Sequence, residues 1–458
     1  MVMQGSWTIR YYETRQAEQV LNTENDHTLL PANYNRTSSK FLNILSVALL
    51  FASTLQPSPA VESVKAPTAD PHSSLNCDRK FNSSVIDAVD KHVKKSLYSK
   101  DLSQNVWPRA LEKQRGKILA AKNLIELSAA MNVAIDELKS SHCRFLTIND
   151  DTYYFLYSLF NNKNKSKGDC IFPGFVTGGV GFEHDRVRFV LNDSPAEKAH
   201  IQVADKILFV NGNKYIGLAN FLDLANKTAL IELLRGTKKI TVSVKLAKKP
   251  MYDMYVNAVT KSARRFTVDG LNLGYVHLWC GGSMAQEAMV DVLFEPILKD
   301  CDGLILDLRD GYGACSPDAL DPFFRQAAAY PDFETTDRNG KKRVSTVIFD
   351  KPMVAIANGG SRSGKEELAY ALKKTKRALL IGDRTAGYFL AGSMEPINDK
   401  CFLYLAILDC SLSGVRLEGT GVEPDLSVEN DKTSSSDIQL DRAKVELVKR
   451  IKEAKSSS

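Results

Sequence analysis

A chain of 458 residues is too long for one hydrophobic core and is expected to divide into two or three domains. Its 44% hydrophobic and 25% charged residues are those of a globular protein, and the net charge of +6 is small for this size. With the basic residues scattered along the chain, a nucleic-acid partner is excluded from the expectations.

The first feature in chain order is an apolar run over residues 41–55, preceded by Arg36 and Lys40 and followed by Ser58-Pro-Ala60. It reads as the core of a secretory signal with a small-x-small cleavage site, so residues 1–60 are taken as leader and signal peptide. A membrane span needs about 20 apolar residues, which leaves an uncleaved signal anchor and a buried core helix as the alternatives. Residues 61–82, rich in Pro, Ser, Ala and Thr, read as a linker. Export to a periplasmic or extracellular space would put eight cysteines, at 77, 143, 170, 280, 301, 315, 401 and 410, where disulfides persist. Their pairing cannot be read from sequence. None has C-x-x-C or zinc-finger spacing, and neither a metal nor a cofactor is expected.

Residues 83–145 read as a small helical domain. Val85, Ile86, Val89 and Val93 recur at helical spacing, as does a longer run through Ile118, Leu119, Leu124, Ile125, Leu127, Met131, Val133, Ile135 and Leu138. The domain ends at Ser140-Ser141-His142-Cys143. From 171 to 248 the texture changes to short β-branched runs: Val187-Arg-Phe-Val190, Lys206 to Val210, a hairpin at Asn211-Gly-Asn, and Ile240 to Leu246. A helix is predicted over 218–224 between them. From 249 to 452 apolar strands alternate with helices, which indicates an α/β core with buried strands. Strands are predicted over 273–278, 303–308, 353–357 and 378–381, and helices over 284–298, 366–374 and 437–452.

The strand over 353–357 runs into Asn358-Gly-Gly-Ser-Arg-Ser363-Gly-Lys-Glu366, which puts Ser363 at a strand-to-helix corner. A hydroxyl there is exposed, and the amides that open the helix, led by Gly364, face an oxyanion formed on a substrate. The competing reading is an ordinary N-cap, with Ser363 or Ser361 accepting from the Glu366 amide. A nucleophilic serine needs a base within reach and a group that orients the base. Glu366 is read as a helix-start carboxylate favoured by the macrodipole, not as a catalytic group. His277 lies in an alternating strand and is read as a core residue.

Two resemblances add to this. Asn192-Asp-Ser-Pro to Gly212, with its flanks, resembles a PDZ domain, and Val180-Gly181-Phe182 resembles the loop whose amides hold a peptide's terminal carboxylate. The order of a helical start, a PDZ-like middle and an α/β end resembles the C-terminal processing peptidase (tail-specific protease) family and its tricorn-like relatives. It carries Asp307-Leu-Arg-Asp-Gly311-Tyr-Gly313, Ser363-Gly-Lys-Glu366, Thr385-Ala-Gly387 and Glu418-Gly-Thr-Gly-Val-Glu-Pro-Asp425 in sequence. The resemblance implies a multidomain α/β protein with a crotonase-like ββα peptidase core and an acyl-enzyme on Ser363. The Ser-Lys branch has its lysine after the T-x-G motif, where this chain has Tyr388, and a phenol does not substitute as a base at neutral pH. The tricorn-like branch takes its base from a Ser-His pair at the end of the helical domain and a glutamate before G-V-x-P-D. That makes His142 the general base and acid, with Ser141 and Glu418 orienting it. The oxyanion donors implied are Gly364 and Gly313, in a loop where the family's Asn is Gly311 and its last Gly is Ala314. Protein or peptide substrates follow, entering through their C-terminal tails. A scaffold on an inactivated peptidase frame and an esterase-like hydrolase stay open as rivals.

Overall fold

The computed structural model describes residues 77–456, apart from 161–164, 180, 181, 315, 316, 325–332, 337, 339, 341, 346, 347, 432 and 434. The chain divides into two units, 1–65 and 66–458, and only the second contains described residues. The leader, the signal run and residues 61–76 of the expected linker lie outside the described residues, as do Val180, Gly181 and Cys315, while the linker's last residues, 79–82, already belong to the first helix. Among the described residues, no helix is long and apolar enough to cross a membrane.

Mixed α/β architecture is what the chain forms. Three helices open the described unit: α1 (Arg79–Ser96), α2 (Trp107–Ala120) and α3 (Leu124–Asp136). Asp78 and Asn123 cap the first and third by accepting from the amides of Phe81 and Glu126. Their apolar stripes, Val85, Val89 and Val93 among them, bury against one face of a three-stranded sheet. That sheet is built from β1 (Arg144–Thr147) and a long antiparallel hairpin that comes from far down the chain. Residues 175–177 pair with 187–190, and a four-stranded sheet over 206–245 follows, with its own core around Val187, Ile207, Phe221 and Ile231. The helix expected over 218–224 is only a 3-10 turn, Leu218–Asn220. Asn220 is the reason: its side chain accepts from Ile216 N and donates to Lys214 O, giving the backbone a turn in place of a helical ladder.

The central sheet has six strands. β2 (Arg264–Val268) pairs antiparallel with β3 (Leu271–His277), and β3, β4 (Gly303–Asp307), β5 (Met353–Ala357), β6 (Ala378–Gly382) and a last short strand at Leu426–Ser427 run parallel. Every residue of β4 and β5 is buried, because alternate side chains meet helices on opposite faces. On one face Leu304, Leu306, Met353 and Ala355 join the cluster that holds Leu368, Ala369 and Leu372 of α4 (Gly364–Lys374). On the other Ile305, Val354 and Ile356 meet Leu440, Leu447 and Ile451 of α5 (Ile438–Ser456). The helix predicted over 284–298 stops at Phe294, since Pro296 bars the backbone of Glu295 from continuing it. The loops after β4, β5 and β6 leave from the same carboxyl edge of the sheet, where open α/β folds place their sites.

Candidate active site

Ser363 sits between β5 and α4 with φ 56° and ψ −127°, a conformation L-residues avoid and one that costs on the order of 1–3 kcal/mol. The turn is built to hold it. Asn358 uses its side-chain oxygen to accept from Gly360 N and Asp310 N, and its amide to donate to Asp310 Oδ2. Ser361 donates to the Leu308 carbonyl at 2.8 Å and accepts from Asn358 N, so it fastens the turn to the sheet and does not act as the helix cap. Glu366 is fully buried and accepts from Thr385 Oγ1, Gly387 N, Tyr388 N and Ser363 N at 2.6, 2.7, 2.8 and 3.2 Å. Burial raises its pKa and these four donors oppose the rise. Glu366 therefore does more than favour a helix terminus; it ties the Ser363 turn to the 385–388 loop.

His142 lies in a tight turn with φ 55°, two residues ahead of β1. β1 pairs with residues 401–404 of the long hairpin, and this register sets the imidazole against the Tyr404 ring, centroids 5.6 Å apart. Ser141 Oγ is 2.8 Å from His142 Nδ1 and 2.8 Å from Glu418 Oε2, while Ser141 N donates to Glu418 Oε1 at 2.8 Å. Hydrogen-bond bookkeeping fixes the tautomer. A carboxylate only accepts, so the one Ser141 hydroxyl proton goes to Glu418, and Oγ must accept from Nδ1–H. Nε2 is then the unprotonated, basic nitrogen. Burial, and then the Arg362 charge, push the His142 pKa down to about 4.

One peptide unit joins the two halves. The Tyr388 carbonyl accepts from Ser363 N at 2.9 Å, and Phe389 N, in the same peptide plane, donates to Glu418 Oε2 at 2.7 Å. Ser363 N and the Glu418 carboxylate are thus within about 8 Å of one another. Ser363 and His142 make no direct hydrogen bond among the described residues. The structure brings Ser141, His142 and Glu418 into one network, and the Tyr388–Phe389 peptide links that network's carboxylate to the Ser363 amide.

The two candidate oxyanion donors also adjoin. A Cβ added to Gly313 would lie 2.2 Å from Arg362 O, 2.6 Å from Ser363 Cβ and 3.0 Å from Gly364 N, so only glycine permits this approach. Among the described residues neither the Gly313 nor the Gly364 amide has a hydrogen-bond partner. The loop's base is charged: Arg309 pairs with Asp307 and Asp437, and Tyr275 donates to Asp307 at 2.8 Å. Burial would raise the Asp307 pKa, but Arg309 and then His277 hold the carboxyl well below the usual range. His277, stacked on Trp279, is buried as its strand position implies, and its Nε2 lies 2.7 Å from Arg309 O.

Of the peptide-loop residues, Phe182 alone is described, and its amide donates to Gly179 O at 3.1 Å. Beside it, Arg188 Nε donates to Asp310 Oδ1 at 2.7 Å, linking that loop's strand to the oxyanion loop. The six cysteines at 143, 170, 280, 301, 401 and 410 carry free thiols.

Sequence reasoning missed Arg188, Arg362 and Lys365. Arg188 left no signal, since its partner is 122 positions away. Lys365 did leave one, because 365, 368, 369 and 372 form a helical stripe whose other members are apolar. Its ammonium is buried, and burial pushes its pKa down to about 7.

Residues 272–428 match the description Peptidase family S41. The carboxy-terminal processing protease CtpB of Bacillus subtilis is 26% identical over 318 residues, which cover 64% of this chain and 63% of that protein. The chloroplastic carboxyl-terminal-processing peptidase 1 of Arabidopsis thaliana is 25% identical over 349 residues, 71% of this chain and 68% of that protein. The chain thus spans less than two thirds of the Bacillus protein's length. Among solved structures, the tricorn protease covers 81% of this chain and 37% of its own at 17% identity and a TM-score of 0.48.

Proposed function

We propose that the protein, whose residues 272–428 match Peptidase family S41, is a serine endopeptidase acting on exported or unfolded proteins through an acyl-enzyme on Ser363. In this reading Ser363 Oγ attacks the scissile carbonyl carbon while His142 Nε2 takes its proton. The carbonyl oxygen becomes an oxyanion that accepts from Gly313 N and Gly364 N. The imidazolium then gives the proton to the departing amine, and a water activated by the same nitrogen releases the acyl group. Ser141 and Glu418 are positioning residues: the anion faces Nδ1–H through the Ser141 hydroxyl and stabilises the imidazolium when it forms. The observation that carries the proposal is the Tyr388–Phe389 peptide, which holds the serine's turn and the histidine's carboxylate from its two ends.

The same reading divides the chain into a leader and signal over 1–60, a linker over 61–82, a helical domain over 83–145, a PDZ-like domain over 171–248 and the peptidase domain over 249–452. The PDZ-like domain would bind or gate substrate tails. What supports a gating role is Arg188, which reaches from the strand behind the 178–182 loop to Asp310 of the oxyanion loop. Tyr388, 46% exposed where a Ser-Lys enzyme would need its lysine, favours the rival of an inactive binding scaffold.

A fluorophosphonate probe separates them. It should label the wild-type chain on the peptide containing Ser363, and casein should be degraded by the same preparation. Absence of labelling in intact, folded wild-type protein would leave the scaffold reading ahead. The pH dependence is a second check. The base must be unprotonated, and burial lowers the His142 pKa to about 4. As pH falls, kcat/KM should therefore hold through 6 and drop with an inflection near 4. An inflection near 6.5, the ordinary imidazole value, would mean the base is solvated in the active enzyme.

A further inference from the structure

The strongest group that the proposed chemistry does not use is Lys365, two residues after the nucleophile. A buried ammonium is costly, since desolvating it takes several kcal/mol even after relaxation. A methionine would fill the same stripe of α4 without that cost. The ammonium's contacts show what it does. Nζ donates to Asp310 O at 2.5 Å and lies 3.4 Å from Arg309 O. From the other side of the serine, Arg362 Nη2 donates to Gly311 O at 3.0 Å. The Tyr312 carbonyl, next along, accepts from Gly281 N at 3.1 Å. Every carbonyl from 309 to 312 is therefore held: Arg309 O mainly by His277 Nε2 at 2.7 Å, Asp310 O and Gly311 O by the side chains that flank Ser363, and Tyr312 O by a backbone amide.

Peptide units are planar, so a carbonyl fixed in one direction fixes the following N–H in the opposite one. By that rule the Tyr312 carbonyl, held by Gly281 N, orients Gly313 N itself, and the Asp310 carbonyl, held by Lys365, orients Gly311 N, two peptides earlier in the loop that leads to it. Gly311 allows the close approach. It has φ 63°, and a Cβ there would lie 1.9 Å from Trp279 O and 3.3 Å from Lys365 Nζ. The loop has Gly311 and Ala314 where the resembled motif has Asn and a final Gly, and Lys365 anchors it at Asp310 O.

We propose that Lys365 is a positioning residue for the oxyanion hole, tying the donor loop to the nucleophile's helix so that Gly313 N and Gly364 N stay in register with Ser363. The inference rests on the peptidase reading. It makes Lys365 neither a base nor a substrate contact, because its Nζ is turned to the Asp310 and Arg309 carbonyls.

The test uses the full chain with Lys365→Met and a fluorogenic peptide that the wild type cleaves. The expected result is a kcat lower by about 10²–10³-fold with KM unchanged, as for loss of an oxyanion interaction. A boronic acid of the same peptide sequence, whose tetrahedral adduct places an oxygen in the hole, should weaken by a similar factor. Peptide binding to Ser363→Ala should equal that to Ser363→Ala/Lys365→Met within threefold. A kcat within threefold of wild type overturns the inference. So does an equal loss in ground-state binding and boronate affinity, which is what a purely structural role would give. If Lys365→Met does not fold, Lys365→Gln, which keeps a donor but not the reach, is read against the same outcomes. Wild-type protein that neither cleaves peptide nor takes the probe fails earlier, at the peptidase reading, and removes this inference with it.

Discussion

Replacing Ser363 by alanine is expected to lower kcat on the order of 10⁶-fold, with peptide binding preserved. Removing His142 should cost nearly as much, and the double variant little more than either. In the proposed mechanism the two groups act as one unit: without the base the hydroxyl is a poor nucleophile, and without the hydroxyl the base has no proton to take. What remains comes from the Gly313 and Gly364 amides and from substrate binding, which neither change touches. His142 occupies a left-handed backbone position, where histidine and asparagine are found more often than alanine. Asparagine tolerates that conformation, which makes His142→Asn the cleaner variant. Steady-state kinetics on preparations titrated for folded protein decide the matter. A His142→Asn enzyme keeping more than a tenth of the wild-type kcat would show that another group is the base. Lys365 would then be the first to examine, although its ammonium faces the 309–310 carbonyls and not the serine.

How much of this could be read from sequence follows from how far apart the interacting residues lie. The parallel strands over 303–307, 353–357 and 378–382 are continuous apolar runs buried on both faces, and local composition is enough to find them. Ser363 was legible because a strand, a glycine-rich turn and a helix follow one another without interruption. The hairpin Leu390–Asn398 with Cys401–Asp409 was not, although it carries the N-terminal helices and sets the position of His142. Its first strand mixes Gly, Ser, Glu and Pro with apolar residues and has no strict alternation, because its exposure is intermediate along nearly its whole length. The Ser141–Glu418 contact spans 277 positions, so resemblance pointed to it where spacing could not. Glu366 shows a different failure. Its place at a helix start gave a sufficient local explanation, and that explanation hid three long-range acceptor contacts, to Thr385, Gly387 and Tyr388.

The second large effect should come from Glu418→Gln, an isosteric change that removes only the charge and two lone-pair positions. Both carboxylate oxygens face donors: Oε1 receives Ser141 N, and Oε2 receives Ser141 Oγ and Phe389 N. An amide satisfies one side and turns its own N–H groups against a donor on the other, whichever way it is flipped. Leaving a buried donor unmade costs about 1–3 kcal/mol, so the variant should melt at lower temperature. The catalytic loss should be larger than that. With the NH₂ toward Ser141 Oγ, the hydroxyl is driven to donate to His142 Nδ1, which moves the imidazole proton to Nε2 and leaves no base facing the serine. With the opposite flip the tautomer survives, but the imidazolium loses its anion. Either way kcat should fall by about 10³–10⁴-fold while KM changes little, the range expected when a serine enzyme's histidine is left in the wrong tautomer or without its partner charge. Nitrogen chemical shifts of labelled His142 distinguish the two flips. A variant with wild-type kcat would mean that the Glu418–Ser141–His142 network is structural, and that the proton of Ser363 leaves by another route.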